Sequence, residues 1–223
     1  MIEINEIFSE SDKRLALWCD NVSDTNDLAT MSDYIIKSDM HLISVSPEIV
    51  PLIWVYLEKF KVKIYTRFAV SLNHKNSDED MYNLAASITS VCKKGADGIQ
   101  LFVSQHDFES LADKILPVRD DLFFGHDLSL VMDTEDIDVN NWTLLFQKLR
   151  ELRVKSLALT LKDDAKNRSD FVGRVYGMLK NWDADCELHF ILNNNIERMD
   201  QVIRLVESEK PELSEKLRFF LDY

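Results

Sequence analysis

Apolar and polar positions follow two rhythms along this chain. Short runs rich in β-branched and aromatic residues recur throughout, and each gap between them has the apolar spacing of an amphipathic helix. Such alternation predicts parallel strands joined by right-handed helical crossovers. The predicted strands are residues 14–20, 41–46, 62–70, 98–104, 128–134, 156–162, 187–193 and 216–223.

Eight parallel strands close most simply into an α/β fold of the (β/α)8 type, the TIM barrel. No linker rich in proline, glycine or serine divides the chain, so we expect one barrel domain over 14–223 after an N-terminal arm over 1–13. The sequence stops at Tyr223, directly after the eighth predicted strand, so we expect the final helix to be missing.

The second helical stretch, 47–60, is apolar on almost all sides. Ser46 is predicted as its N-cap and Pro47 as its first residue. A helix outside a barrel normally buries one stripe only, so Trp54 and Tyr56 predict either a subunit contact or an unusually covered helix. We therefore expect a homo-oligomer, most simply a dimer.

Composition excludes several classes of protein. The apolar runs are far shorter than the roughly 18 residues that span a membrane, and the acidic N-terminus is unlike a secretory signal. A net charge of −13 argues against nucleic acid as a partner. The cysteines Cys19, Cys92 and Cys186 lie far apart, which predicts no metal site, no disulfide and a cytoplasmic location. With five glycines the chain has little material for phosphate loops, and we expect no cofactor.

Several segments, taken in order, resemble the deoxyribose-phosphate aldolases. ISVSPEIVPLIWVYLEKFKVKIYTRFAVSLNHKN (43–76) is similar to the second and third β/α units of that family, with its two prolines four residues apart and its strand of threonine followed by phenylalanine. GADGIQLFV (95–103), LSLVMDTEDI (128–137) and NNNIERMDQVIRLV (193–206) resemble later units. The resemblance covers nearly the whole chain and implies the same barrel.

The family forms a Schiff base between a lysine amine and an aldehyde. At the position of that lysine the chain has Leu159, followed by Thr160 and Leu161 in place of the family's Thr-Ser. The second lysine, which lowers the pKa of the first, corresponds to Ile191, and the proton-shuttling acid to Gln100.

The phosphate-binding glycines of the family are also replaced. Their positions are held by Asn194 and Asn195 after the seventh strand, and by Phe220 and Leu221 on the eighth. With all four functional elements changed, the resemblance predicts a barrel that has lost aldolase activity.

Lys162 is an amine near the end of the sixth predicted strand. If Leu159 and Leu161 face the inside of the barrel, alternation turns Lys162 away from it. Asp163 and Asp164 would raise the pKa of this amine, whereas a nucleophile needs a lowered one. We therefore expect a solvated strand end, with a displaced catalytic lysine as the alternative.

The alternation of side chains along the strands predicts that Gln100, Asp133 and His189 also face the inside of the barrel. Arg67 is compatible with either face of its strand. This set suits acid–base chemistry or, as the favoured reading, a hydrogen-bonded plug, because no nucleophile or metal-ligand spacing accompanies it. The residues predicted to bind a ligand are Arg67, Ser104, Thr160, Asn194 and Asn195. His106, at the start of a helix, is expected to be a capping or surface residue.

The sequence therefore predicts a binding or regulatory pseudoenzyme. The alternative is a lyase or aldolase acting on a small aldehyde or sugar metabolite through Gln100, Asp133, His189 or Lys162. The predicted mouth is acidic, so a neutral or cationic metabolite or a protein partner is expected rather than a sugar phosphate. Its charged residues are Asp20, Asp133, Glu135, Asp163, Asp164 and Asp222, against Arg67, Lys162 and His106.

Overall fold

The computed structural model describes residues 13–20, 22, 25–70, 77–135, 137, 141–161 and 168–223. Its centre is a closed barrel of eight parallel strands in sequence order, which confirms the predicted TIM barrel. Every strand end lies within two residues of its prediction. The strands are β1 (Leu15–Cys19), β2 (Leu42–Val45), β3 (Lys63–Ala69), β4 (Gly98–Phe102), β5 (Asp127–Asp133), β6 (Ser156–Thr160), β7 (Glu187–Ile191) and β8 (Leu217–Asp222).

Helices surround the barrel and turn one apolar stripe toward it. In α4, for example, Phe108, Leu111 and Ile115 are buried at helical spacing. The helices are α1 (Thr25–Lys37), α2 (Val50–Leu57), α3 (Ser77–Cys92), α4 (Gln105–Ile115), α5 (Arg119–Leu122), α6 (Trp142–Glu151), α7 (Arg168–Asn181) and α8 (Ile196–Glu209), with short 3-10 turns at Leu116–Val118 and Pro211–Lys216. None of the helices in the described part of the chain is both long enough and apolar enough to span a bilayer.

The barrel closes where β8 pairs with β1. Phe219 lies beside Leu15 and Leu221 beside Leu17 in this parallel ladder. After β8 the ring of Tyr223 lies 6.5 Å from that of Tyr34 on α1. Residues 1–12 of the predicted arm fall outside the described residues, so the arm stays a prediction.

The start of α2 differs from the prediction. Residues 47–49 form a turn, in which Ile49 N donates to the Ser46 carbonyl at 3.1 Å, and the helix begins only at Val50. Ser46 is therefore not its N-cap. The second proline, Pro51, lies in the first turn of the helix, where a backbone N–H has no partner within the helix. A proline, which has no N–H, therefore fits this position, and Pro51 sets the start of α2.

Candidate functional site

The facing of β6 decides which residues belong to the inside of the barrel. Leu157, Leu159 and Leu161 pack into the core between the barrel and its helices. Ala158 instead packs inside the barrel, in a cluster with Ala16, Trp18, Leu42, Tyr65, Val131, Ile191 and Phe220. By alternation Thr160, beside Ile191 in the ladder, also faces in. The prediction that Leu159 and Leu161 point inward is therefore wrong.

The error came from the family resemblance, which placed Leu159 at the position of an inward lysine. The strand itself alternates, with Ser156, Ala158 and Thr160 on the inner face and the three leucines on the face toward the helices. Burial is nearly complete on both faces, so exposure does not separate them, but the small and polar residues do mark the inner one.

Arg67 covers Trp18 at the carboxyl end of the barrel. Its guanidinium carbon lies 4.2 Å from the centre of the indole ring. Nη1 donates to Asp20 Oδ1 at 2.6 Å, and Nη2 donates to the Cys19 carbonyl. Trp18 Nε1 donates to the other carboxylate oxygen, Oδ2, at 3.0 Å. The facing of Arg67, ambiguous in the sequence, is thus toward the mouth.

Two aromatic rings hold Trp18 from the sides. Phe102 and Phe220 meet it edge to face, with ring centres 5.7 and 5.5 Å away. Together with Arg67 these rings pack across the middle of the mouth.

The charges that act on Arg67 come from carboxylates around it. The pKa of Glu48 is lowered, mainly by a hydrogen bond with Ser46 and in part by the charge of Arg67. Burial and, secondarily, the charge of Asp20 raise the pKa of Asp222. Burial lowers the pKa of Arg67, while Asp20 opposes that change.

Gln100 lies deeper inside the barrel. Its Oε1 accepts a hydrogen bond from Ser44 Oγ at 2.5 Å, and both residues are completely buried. Gln100 Nε2 has no hydrogen-bond partner among the described residues. An amide does not exchange protons near neutral pH, so this pair can orient a polar group but not act as a base.

His189 turns toward the opposite, amino end of the barrel. Its Nε2 lies 3.1 Å from Glu187 Oε2, and Glu187 Oε1 lies 3.0 Å from Lys155 Nζ. Burial lowers the pKa of His189 more than Glu187 raises it, so the imidazole is neutral and donates to Glu187. A second polar group lies at the same end, where Asp127 accepts from Tyr65 Oη at 2.7 Å and from Lys63 Nζ at 2.6 Å.

Asp133 ends β5 at the carboxyl end, beside Thr160 in the ladder. Its Oδ1 accepts from the Glu135 backbone N–H at 2.9 Å. Gln100, Asp133 and His189 therefore lie at three levels of the barrel. Each is hydrogen-bonded to a different residue: Ser44, Glu135 and Glu187, respectively.

The other predicted ligand-binding residues lie at the carboxyl end in local structural roles. Ser104 caps α4 by accepting from Asp107 N at 3.1 Å, and Asn195 caps α8 by accepting from Arg198 N at 3.1 Å. Asn194 bonds to the backbone O and N of Asp222 at 3.3 and 2.9 Å. His106 is exposed in the first turn of α4, as predicted. A role for these polar side chains in ligand binding stays a prediction.

The described residues offer few other nucleophiles or metal ligands. Lys162, with Asp163 and Asp164, falls outside the described residues. Burial raises the pKa of the Cys19 and Cys186 thiols to about 12, so both stay protonated. Over the described ranges, no cluster of three His, Cys, Asp or Glu side chains is arranged to hold a metal ion.

Sequence reasoning listed Arg67 and Asp20 but missed their contact with Trp18. The available signal was the order Trp18-Cys19-Asp20 at the end of β1, which puts an aromatic and an acid on one face.

No family model and no curated protein sequence matches the chain. Its fold does match solved structures. A deoxyribose phosphate aldolase from Aeropyrum pernix, described as a tetramer, superposes with a TM-score of 0.65 at 11% identity over 99% of this chain and 90% of that one. A protein assigned as a deoxyribose-phosphate aldolase from Coccidioides immitis gives 0.67 at 9% identity over 96% and 81% of the two chains. QR15, an aldolase, gives 0.63 at 11% identity over 96% and 92%. The resemblance inferred from the sequence is confirmed at the level of the fold: the chain has a barrel like that of the deoxyribose-phosphate aldolases.

Proposed function

We propose that this protein is a cytoplasmic binding or regulatory barrel that has lost aldolase activity. The observation that carries the proposal is the filling of the mouth by Trp18, Arg67, Phe102 and Phe220. Enzymes with this fold bind and convert their substrates at that end of the barrel. Here large side chains in mutual contact take up the central space in which a small substrate would have to sit.

The chemistry of the inward residues supports the same conclusion. A Schiff-base aldolase needs an amine whose pKa is lowered, held inside the barrel. The described inward residues of β6 and β7 are Ser156, Ala158, Thr160, Glu187, His189 and Ile191. An imidazole bonded to Glu187 at the amino end is far from the mouth, and the remaining side chains supply no nucleophilic nitrogen.

Reductive trapping tests this proposal. The protein is incubated with acetaldehyde or deoxyribose 5-phosphate, reduced with borohydride and weighed by mass spectrometry, with an active deoxyribose-phosphate aldolase treated in parallel. We expect the control to gain the adduct mass and this protein to keep its own. A stoichiometric adduct on any lysine would overturn the proposal.

A second candidate function is an aldolase or lyase that uses Lys162 on a small aldehyde or sugar. One observation favours it: Ala158 faces the inside and Leu159 does not, so the sequence argument that turned Lys162 away no longer holds. Under this alternative the trapped adduct maps to Lys162 and disappears in Lys162→Ala. The matched control is Lys37→Ala, which removes a lysine whose side chain is 78% exposed on α1.

The proposal includes self-association through α2. Leu52 and Val55 are 50% and 63% exposed, and Trp54, Tyr56 and Phe60 beside them are also exposed. A contiguous apolar surface of this kind is costly in water and typical of a protein contact. The tetrameric state of the Aeropyrum pernix protein supports an assembly of barrels, without showing which surface this chain uses.

A further inference from the structure

We propose that the mouth of the barrel is a binding site for a planar organic cation, and that Arg67 occupies this site as a ligand tethered to the same chain. The inference rests on the proposed function, because it names the class of ligand that a non-catalytic binding barrel would take. It concerns the group formed by Trp18, the Cys19 carbonyl and Asp20, which we call the cation clasp.

The clasp has the three components that recognise a guanidinium. The aromatic face of Trp18 lies 4.2 Å below the Arg67 carbon, a carboxylate oxygen of Asp20 accepts at 2.6 Å, and the Cys19 carbonyl accepts a second N–H. A planar cation with several in-plane N–H donors satisfies all three at once. A compact ammonium cannot stack its face on the indole and donate to both oxygen acceptors in the same way.

The clasp is held in place by contacts that do not involve Arg67. Trp18 Nε1 donates to Asp20 Oδ2, which fixes the carboxylate against the ring and leaves Oδ1 for the cation. Phe102 and Phe220 hold the indole from its edges. Removal of the arginine side chain should therefore leave a preformed site rather than a collapsed one.

The surrounding charge selects for a cation. Glu48 and Asp222 lie close enough for their charges to act on this region, and both add to the field of Asp20. A phosphate would meet three carboxylates here, and a neutral planar molecule would gain nothing from them.

Arg67 belongs to β3, and its side chain reaches past β2 to the end of β1. It therefore binds the clasp from a different strand. Its own side chain is only 10% exposed, but that of Asp20 is 64% exposed, so an incoming cation can approach the carboxylate from solvent. A tethered group competes at an effective local concentration of millimolar or more, so a free cation enters the wild-type site by displacing Arg67.

The test removes the tether and supplies the cation. Arg67→Ala is titrated with methylguanidinium, methylammonium, urea and phosphate while the indole N–H resonance of Trp18 is followed by NMR. We expect saturable binding of methylguanidinium with a Kd in the range of about 1–10 mM, weaker binding of methylammonium, and no shift with urea or phosphate. The wild-type resonance should respond to methylguanidinium only at higher concentrations, because the free cation must displace Arg67.

Two variants check the assignment to the clasp. Adding Asp20→Asn to Arg67→Ala should weaken methylguanidinium binding at least tenfold. Arg218→Ala, which removes a half-buried arginine from the amino end of the barrel, should create no response at Trp18. Equal responses to methylguanidinium and urea, or a response to phosphate, would overturn the proposal.

The test stays decisive if Arg67→Ala is unstable. In that case we expect methylguanidinium, but not urea, at the same low millimolar concentration to raise its melting temperature or restore its circular dichroism. A folded variant whose Trp18 resonance never moves, or an unfolded one that never recovers, contradicts the cation site. Neither result bears on the borohydride experiment, so this inference and the proposed loss of activity can fail separately.

Discussion

The indole ring of Trp54 lies directly over Gly95. A Cβ built on Gly95 would approach Trp54 Cδ1 to 2.2 Å, and the backbone of Gly95 has a φ of +109°. Glycine is required here twice, since a side chain would be strained by the backbone and blocked by the ring. The contact connects α2 to the turn before β4 and leaves 41% of Trp54 exposed.

Gly95→Ala should lower the free energy of unfolding by at least about 1 kcal/mol, because of backbone strain and the displaced indole. Gly173→Ala is the matched control: it lies within α7 with no atom within 4 Å of a new Cβ, and it should stabilise the protein by up to about 1 kcal/mol. Urea denaturation of both variants measures the difference. Equal effects would show that the Trp54 contact is unimportant.

Stability should fall as the pH is lowered from 7 to 5. Burial lowers the pKa of His189 in the folded protein, whereas an unfolded histidine titrates near about 6.5, so the unfolded chain takes up the proton first. One such group contributes a slope of at most about 1.4 kcal/mol per pH unit. Burial raises the pKa of the Glu187 carboxylate, but the interactions with His189 and Lys155 lower it by more. Protonation of Glu187 therefore changes the free energy of unfolding only below about pH 4.5.

Urea titrations at pH 7, 6 and 5 test this dependence. His189→Gln should flatten the slope, and His41→Gln, which replaces a histidine with a 43% exposed side chain, should leave it as in the wild type. An unchanged slope in His189→Gln would assign the effect to other groups.

Sugar phosphates should not bind at the mouth. The arginine over Trp18, Arg67, is committed to Asp20, and the side chains of Asn194 and Asn195 are bonded to the backbones of Asp222 and Arg198. Calorimetric titration with phosphate, sulfate and deoxyribose 5-phosphate at low salt should give no Kd below about 1 mM. A tighter complex that is lost in Arg67→Ala would show that the arginine is available to anions after all.

Val55→Asp should shift the protein toward monomer, because it places a charge in the exposed apolar face of α2. Light scattering coupled to size exclusion measures the mass. Phe124→Asp is the control, since Phe124 is 84% exposed on the turn after α5 and away from α2. A monomeric wild type at micromolar concentration would remove the basis for this prediction.

Substitution by lysine should reduce stability by different amounts at two neighbouring positions of β6. Leu159→Lys places an amine in the helix-facing core and should cost several kcal/mol, whereas Thr160→Lys projects into the half-buried mouth and should cost roughly 1 kcal/mol. Thermal unfolding compares the two. Leu159→Lys should also fail to form a Schiff base, and equal stability of the two variants would contradict the facing described here.

The barrel could be predicted from the sequence because strand and helix rhythms are local, and eight repeats leave few other topologies. The facing of Leu159 was predicted wrongly because it was taken from the family's lysine position, although the strand alternates between Ser156, Ala158 and Thr160 on one face and leucines on the other. The start of α2 was misplaced because both Pro47 and Pro51 suit a first helical turn. The contact of Arg67 with Trp18 joins residues 49 positions apart, so it depends on the closed barrel and on the conformation of one long side chain.

The pairing of β8 with β1 also bears on how the chain comes to fold. β1 is the first of the eight strands to be synthesised and β8 the last, so one edge of β1 lacks its partner until translation has passed Asp222. During that time the apolar strand Leu15–Cys19 can pair with another chain. A nascent or truncated chain that lacks β8 is therefore the form of this protein most exposed to aggregation, and the one with most need of a chaperone.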